Sequence, residues 1–450
     1  MKEEDKMDLP RKLALNALYK IDQENAFSNI VLDEILNQNR DKLENRDINF
    51  ISELVYGVTT WKLTLDEIIQ RYSKIKLRKI SGWVLNILRL GAYQIVFLDK
   101  VPKSAAVNEA VNLCKKYGNR SSKFVNAILR KINKEDYNKI DEISDQIERI
   151  SKKYAMPEWI VNRLLNQYGK EKAEEICKNS NVKPNMSIRI NKLKTRKETL
   201  KQELEQRAIE VEDGILEDFF SLKNAKNIVN LDLYQKGEIS LQDEAAALAC
   251  VCLDPKQEEC ILDACSAPGG KTTYLAEKMQ NKGEIIAWDV YQNRIKQVEM
   301  NAKRLGISII KTEVKEAQEY EEKYKEKFDR ILLDVPCLGL GVIRRKPDIK
   351  WQRKEEDLAE ITKIQKDILN TCCKYLKIGG RLVYSTCSIL KEENEEMIQA
   401  FLEKGNFKLV SLNQDLIEKY ETEKKKDLGI QLFPNEKHDG FFISILERIR

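Results

Sequence analysis

One stretch limits what this chain can become more than any other: residues 259–277, ECILDACSAPGGKTTYLAE. An apolar pair, Ile261 and Leu262, ends at Asp263. A small-residue loop containing Pro268, Gly269 and Gly270 then opens into a helical pattern from Lys271 to Lys278. Strand, glycine turn and helix follow one another directly. Glycine lets backbone approach a ligand closely, and the free N–H groups at a helix start favour an anionic or hydroxyl-rich group. The stretch therefore predicts a nucleotide-like cofactor, with a plain strand-to-helix turn as the alternative. Gly-Gly-Lys-Thr suggests a phosphate-binding loop, but that motif needs glycine five positions before Gly270, where Cys265 stands. The dinucleotide fingerprint also fails, because only the adjacent glycines 269 and 270 are present.

With 450 residues the chain exceeds one ordinary core, and the length predicts two to four domains. The single histidine, His438, excludes histidine-based catalysis and reads as a surface turn residue. Ten cysteines without a C-x-x-C pair point to reduced thiols rather than a zinc site, so no metal is expected. No run reaches the roughly 20 uncharged apolar residues of a membrane span, and the start lacks the apolar core of a leader. A cytoplasmic monomer is the expectation. The net charge of +5 is modest, but residues 71–98 carry six Lys or Arg and residues 111–134 carry seven, both without an acid. Basic tracts on helices predict a polyanion-binding surface, against the plainer reading of a solvated face.

Residues 10 to about 135 read as helices throughout. Pro102, then Ala106, Val107, Ala110, Val111 and Cys114, with Gly118 beyond, is an amphipathic helix with start and stop signals. Residues 83–97 and 122–132 repeat the style, so residues 1–135 form an all-α unit. Residues 136–155 are charged and apolar-poor, a semi-rigid helical connector. Residues 156–235 mix helices (158–168, 170–179) with strand-like runs such as 187–190, a small α/β subdomain.

From 236 to 450 strands and helices alternate. Strands are expected at 260–263, 284–289, 308–311, 329–334, 381–385 and 440–446, with a helix over 361–376 before Gly379-Gly380. Alternation of this kind predicts a parallel, doubly wound sheet with its ligands beyond the carboxyl ends of the strands. That rule selects the loop after Asp263, then Asp289, the acidic stretch after Lys311, Asp334 with Pro336-Cys337, and Thr386-Cys387-Ser388. Asp289, 26 positions after Asp263, is placed to hold two ribose hydroxyls. Cys337 and Cys387 flank Asp334 on the same rim, and thiolate is a nucleophile that needs no histidine. Thiolate addition at C6 of cytosine turns C5 into a nucleophile toward an electrophilic methyl group, an acid near N3 stabilises the adduct, and a base removes the C5 proton. Arg344, Arg345, Lys346 and Lys350, beside Trp351, would hold RNA phosphates and stack a base of a single-stranded loop whose target cytosine leaves its stack, against the plainer reading of a solvated basic loop.

The stretches LVYGVTTWKLTLDEII (54–69) and LRLGAYQIVFLDKVPKSAAVNEAVNLCKKYGNRSSKFVNAILRKI (88–132) resemble the NusB family of helical RNA-binding domains. KGEISLQDEAA (236–246), DACSAPGGKTT (263–273), DRILLDVPCLGLGVIRRKPDIKW (329–351) and VYSTCSILKEENE (383–395) resemble bacterial RNA 5-methylcytosine methyltransferases, and the whole resembles the RsmB (Sun/Fmu) family. The resemblance implies an all-α NusB-like N-terminal domain, a small α/β middle subdomain and a C-terminal α/β Rossmann-like methyltransferase domain. It further implies S-adenosyl-L-methionine as methyl donor and a cytosine of 16S rRNA, free or in a partly assembled small subunit, as acceptor. Cys265, Ser266, Ala267, Pro268, Gly269, Gly270, Lys271 and Asp289 would contact the donor, and Asp334 would lie between donor and cytosine. The family pattern makes Cys387 the nucleophile and gives Cys337 a part in adduct breakdown, with Lys271 lining the site. Spacing alone does not choose between the two thiols. Where the family has an aspartate after the third strand, this chain has Val-Lys-Glu-Ala, so Glu316 takes its place; Leu-Gly-Leu-Gly after Cys337 also departs from the common pattern. Two other readings are the same chemistry on tRNA or another rRNA cytosine, and a non-catalytic RNA-binding factor, against which the intact Cys387, Cys337 and Asp334 speak.

Overall fold

The computed structural model describes residues 8–24, 26–223, 225, 228–411, 414–420, 423–425 and 428–450. Part of the N-terminal start examined for a leader lies outside them. The chain divides into two compact units, residues 1–181 with 343–355, and residues 182–342 with 356–450.

The first unit is helical among its described residues. Its centre is the helix Gly82–Phe97, where twelve residues from Val84 to Val96 are buried. Leu, Ile and Val recur on every side of it, the pattern of a helix surrounded by others. Arg89 is buried within it and is neutralised by Asp66, with both oxygens at 2.7 and 2.8 Å, and by Asp22 at 2.7 Å. The helices Lys103–Tyr117 and Ser122–Leu129 pack against it, and Gly118 follows the first as expected. The stretch expected to be a connector is folded into this unit: Ile140, Ile150 and Tyr154 are buried, and Thr64 Oγ1 donates to Lys152 O at 2.6 Å. The helix Glu158–Asn179, kinked at Gly169, also clusters here rather than with the middle subdomain.

The second unit holds two sheets. The small one has strands β1 (Met186–Ile190), β2 (Glu210–Asp213), β3 (Phe219–Lys223) and β4 (Ile239–Leu241) in the order β2-β3-β1-β4, all antiparallel. Because β4 pairs with β1, this sheet extends past residue 235 into the stretch expected to begin the next domain.

The large sheet contains β5 (Cys260–Asp263), β6 (Glu284–Asp289), β7 (Ile310–Val314), β8 (Phe328–Asp334), β9 (Leu376–Thr386), β10 (Phe407–Leu409), β11 (Glu423–Lys425), β12 (Gly429–Leu432) and β13 (Phe441–Arg448). Strands β9-β8-β5-β6-β7 run parallel. Strands β11, β12 and β13 continue the sheet beyond β9 in antiparallel fashion, so the expectation of a wholly parallel sheet, with 440–446 among its strands, is corrected. Side chains alternate between faces as a two-residue period requires. Ile261, Ile285, Leu332 and Val383 meet the helix Glu244–Leu253 and residues of Gly270–Lys278, whereas Leu262, Ile286, Leu333 and Tyr384 meet the helices Asp357–Cys372 and Glu395–Leu402. Both faces are covered, and the carboxyl ends of the parallel strands form one rim.

Candidate active site

The glycine loop is fixed at both of its ends. Ser266 donates from its backbone N–H and its hydroxyl to Trp288 O at 2.8 and 2.9 Å, tying the loop after β5 to β6. Arg294 and Asn301 donate to Ala267 O and Pro268 O at 3.1 and 2.9 Å. Gly269 has φ +99°, and a Cβ there would lie 3.0 Å from Val298 Cα, so this position needs glycine for both conformation and space. The helix Gly270–Lys278 starts at this turn and leaves its first backbone donors at the rim. Cys265 is half-buried behind the loop, and burial pushes its thiol well up.

Asp289 ends β6 buried, its carboxylate accepting from Tyr291 N–H at 3.2 Å and pairing with Arg294 at 3.2 Å. The carboxylate stands one strand from the glycine loop, where paired hydroxyls could replace the arginine. Glu316 lies just past β7, half-buried, and accepts from Gln318 at 2.9 Å. Asp263 is the residue whose importance the sequence reading passed over. Burial pushes its carboxyl up to about 7, Thr272 donates to Oδ2 at 2.7 Å, and Oδ1 is buried without a partner.

On the neighbouring strands Asp334 ends β8. Its Oδ2 pairs with Lys271 Nζ at 2.8 Å, and its Oδ1 accepts from Ser385 Oγ at 2.9 Å. Burial alone would discharge Lys271, but the Asp334 carboxylate outweighs it and holds the ammonium well above its ordinary range. Thus the first turn of the glycine-loop helix places a fixed cation against the carboxylate of the next strand. The sulfurs of Cys337 and Cys387 lie 3.2 Å apart. The contact with Cys387, reinforced by burial, raises the Cys337 thiol well above its usual value. Two thiols, a carboxylate and a lysine therefore meet at the ends of β8 and β9, as the strand-end rule predicted.

The basic loop is different. Lys350 is fully buried, its Nζ donating to Thr60 O, Tyr154 O and Asn181 Oδ1 at 3.1, 3.4 and 2.6 Å, and burial lowers its pKa to about 7. Trp351 Nε1 donates to Thr59 O at 2.8 Å. This corrects the expectation that Lys350 holds phosphate with Trp351 stacking a base, since both polar groups are used within the helical unit. Arg344 is buried as well, Arg345 is half-buried and Lys346 alone of the four is exposed. His438 is likewise buried rather than a surface residue, with its ring between Asn435 Nδ2 at 2.9 Å and Asp439 O at 3.0 Å. By contrast Lys74, Lys76, Arg78, Lys79, Lys115, Arg120, Lys123, Arg130 and Lys131 of the helical unit are exposed. Among the described residues no cluster of metal-ligating side chains is present, and no helix is long and apolar enough to cross a membrane.

Residues 250–447 match the family described as 16S rRNA methyltransferase RsmB/F. The Bacillus subtilis (strain 168) protein named "Probable ribosomal RNA small subunit methyltransferase B" is 39% identical over 444 residues, spanning 97% of this chain and 98% of its own. The chain belongs to the RsmB/F methyltransferase family. A second member, the ribosomal RNA small subunit methyltransferase B of Shewanella oneidensis, is 34% identical over 97% of this chain and 98% of its own. The crystal structure of PH0851 superposes with a TM-score of 0.80 at 29% identity, covering 98% of this chain and 99% of that one. Residues 8–134 match the NusB family and residues 156–228 a ferredoxin-like domain of RsmF/B-like proteins, so this RsmB/F chain has a NusB helical domain, a small sheet domain and a methyltransferase domain.

Proposed function

We propose that this RsmB/F chain transfers a methyl group from S-adenosyl-L-methionine to C5 of a cytosine in 16S rRNA through a covalent bond between Cys387 and C6. The observation that carries the proposal is the pair of sulfurs 3.2 Å apart beside the Lys271–Asp334 pair. The glycine loop and Asp289 suit the donor: a left-handed turn at Gly269 packed closely on Val298, helix-start donors, and a buried carboxylate for ribose hydroxyls. When bound there, S-adenosyl-L-methionine supplies an electrophilic methyl group on sulfonium.

Cys387 supplies the thiolate. Its sulfur bonds C6, and the electron pair of the C5–C6 double bond moves onto the ring, where a proton held near N3 neutralises it. Asp334, fixed by Ser385 and Lys271, is the group placed to hold that edge of the base. The ring then carries electron density at C5, which takes the methyl group. A base takes the C5 proton, its bonding pair re-forms the C5–C6 double bond, and the Cys387–C6 bond breaks with its electron pair on sulfur. Cys337, kept as a protonated thiol by its contact with Cys387 and by burial, meets the departing sulfur with its S–H.

Transfer of label from the donor to unmodified 16S rRNA, mapped by bisulfite sequencing, tests the reading. Cys387→Ala is expected to give neither methylation nor a protein–RNA adduct, and Cys337→Ala a denaturant-resistant adduct. The reverse pattern exchanges the two roles, and equal labelling of tRNA removes the rRNA assignment. The exposed lysines and arginines of residues 74–131 are the proposed phosphate contacts, read out as a salt dependence of RNA affinity.

A further inference from the structure

The two thiols come from different loops, and something must set their spacing. Cys337 follows β8 and Cys387 follows β9. The residue that ties the two loops together is Glu393. It is fully buried, as are Ser388 and Gln365. Its Oε1 accepts from Leu338 N–H at 2.9 Å, the residue after Cys337. Its Oε2 accepts from Ser388 Oγ, the residue after Cys387. Gln365 completes the bridge, with its Nε2 shared between Glu393 Oε1 at 3.1 Å and Pro336 O at 3.0 Å, the residue before Cys337. Asn394 beside it grips the other loop from both sides. It donates to Ser388 O at 3.1 Å and accepts from Thr386 Oγ1 at 2.6 Å, so the neighbours of Cys387 are both held. A direct backbone bond, Gly341 N–H to Cys387 O at 2.9 Å, closes the same junction.

We propose that Glu393 is a positioning residue: one buried side chain bridges the Cys337 loop to the Cys387 loop and holds the two sulfurs in contact. The proposal rests on the reading of these thiols as the acting pair, but the bridge itself is a matter of geometry. Its chemistry explains why a carboxyl stands in a dry site. The site offers three donors, an N–H, an amide and a hydroxyl, arriving from two loops, and only a forked acceptor meets them at once. Glutamine has the same fork. Its oxygen can take Leu338 N–H and Gln365, while its NH2 donates to Ser388 Oγ, which turns to accept. Alanine removes the acceptor of Leu338 N–H and of Ser388 Oγ and leaves Gln365 Nε2 with Pro336 O alone.

The test reads thiol proximity without depending on methylation. Full-length protein is treated with diamide, which accepts one hydrogen from each thiol as the disulfide forms, and the cross-linked peptides containing Cys337 (331–344) and Cys387 (382–391) are followed by mass spectrometry. Wild type and Glu393→Gln are expected to cross-link at similar rates. Glu393→Ala, having lost the acceptor common to both loops, is expected to be slower by about tenfold or more. On RNA, Glu393→Ala shifts toward the adduct accumulation expected of Cys337→Ala, and Glu393→Gln restores turnover. Cross-linking of folded Glu393→Ala at the wild-type rate overturns the proposal, as does failure of wild type to cross-link. If Glu393→Ala loses its melting transition, Ser388→Ala, which removes one side of the bridge only, decides by the same criterion. If wild type cross-links as expected yet transfers no methyl group to RNA, the enzymatic reading fails while the positioning role stands.

Discussion

Arg189 on β1 is a residue whose removal should be felt strongly in the second unit. It is fully buried, and all three guanidinium nitrogens are used. Nε and Nη2 hold Glu277 at 3.0 and 2.7 Å, Nη1 reaches Gly270 O at 2.8 Å and Gln242 Oε1, and Nη2 also reaches Thr273 Oγ1 at 3.1 Å. Two of these partners, Gly270 and Thr273, form the first turn of the glycine-loop helix, so the small sheet props the glycine loop from behind. Replacing Arg189 by Met keeps most of the volume and strands a carboxylate that is 4% exposed. Breaking a buried pair from one side costs about 3–5 kcal/mol, whereas replacing both partners by apolar groups is often close to neutral. Arg189→Met should therefore destabilise this unit by about 3–5 kcal/mol. Adding Glu277→Leu should recover at least about half of that, roughly 2 kcal/mol. Hydrogen exchange at the amides of β5 and β6 measures the opening free energy here separately from the helical unit. Burial already raises the Glu277 carboxyl, with Arg189 opposing it. Without the arginine the folded-state value climbs further above the unfolded one, so the folded state binds more protons. The stability that depends on that proton is present at low pH and lost as pH rises, and the deficit of Arg189→Met should be smaller at pH 5 than at pH 8. A single variant costing less than about 1 kcal/mol, or a double variant worse than the single, would refute this account of the pair.

Three further outcomes are expected. Gly269→Ala forces a left-handed conformation on alanine and drives Cβ to 3.0 Å from Val298 Cα, so it should cost roughly 1–3 kcal/mol and raise KM for the methyl donor more than it lowers kcat, in melting and steady-state assays. Burial depresses Lys350 to about 7, so the unfolded chain binds more protons between about pH 7 and 10; the helical unit should grow more stable across that window, and Lys350→Met should abolish the rise. Asp263 has the opposite slope: its carboxyl is raised to about 7, the proton-linked stability is full below about pH 4 and falls as pH rises through 7, and Asp263→Asn should remove a dependence on the order of 4 kcal/mol.

What the chain's letters reveal about this fold follows from how local each signal is. Strands β5 and β6 coincide with the expected 260–263 and 284–289 because strands covered on both faces are continuous apolar runs with abrupt polar ends. Strand β7 is displaced: the apolar peak at 308–310 marks the approach, while pairing with β6 runs through Lys311–Val314, where the exposed side of a sheet edge carries polar residues. Direction is not a local property at all. Residues 440–446 read as a strand, but only the partner β9 determines that it runs antiparallel.

The same distinction separates the two clusters near Cys337. A basic run beside a tryptophan reads as a phosphate-binding loop because composition reports charge and says nothing of what the charge meets. Lys350 meets oxygens of residues 60, 154 and 181, and Asp348, two positions before, accepts from Ser28 Oγ at 2.6 Å across 320 positions. The cysteines, although 50 positions apart, were legible as a group because they follow strands, and ends of adjacent parallel strands must share a rim. Topology brings the loops together but leaves several ångströms of freedom in where each sulfur points. Removing that freedom takes buried groups that answer to both loops at once. Glu393 and Asn394 do so from within a charged run, KEENE. That a carboxylate withdrawn from water is shared by two loops becomes visible only where its oxygens and their donors are seen together.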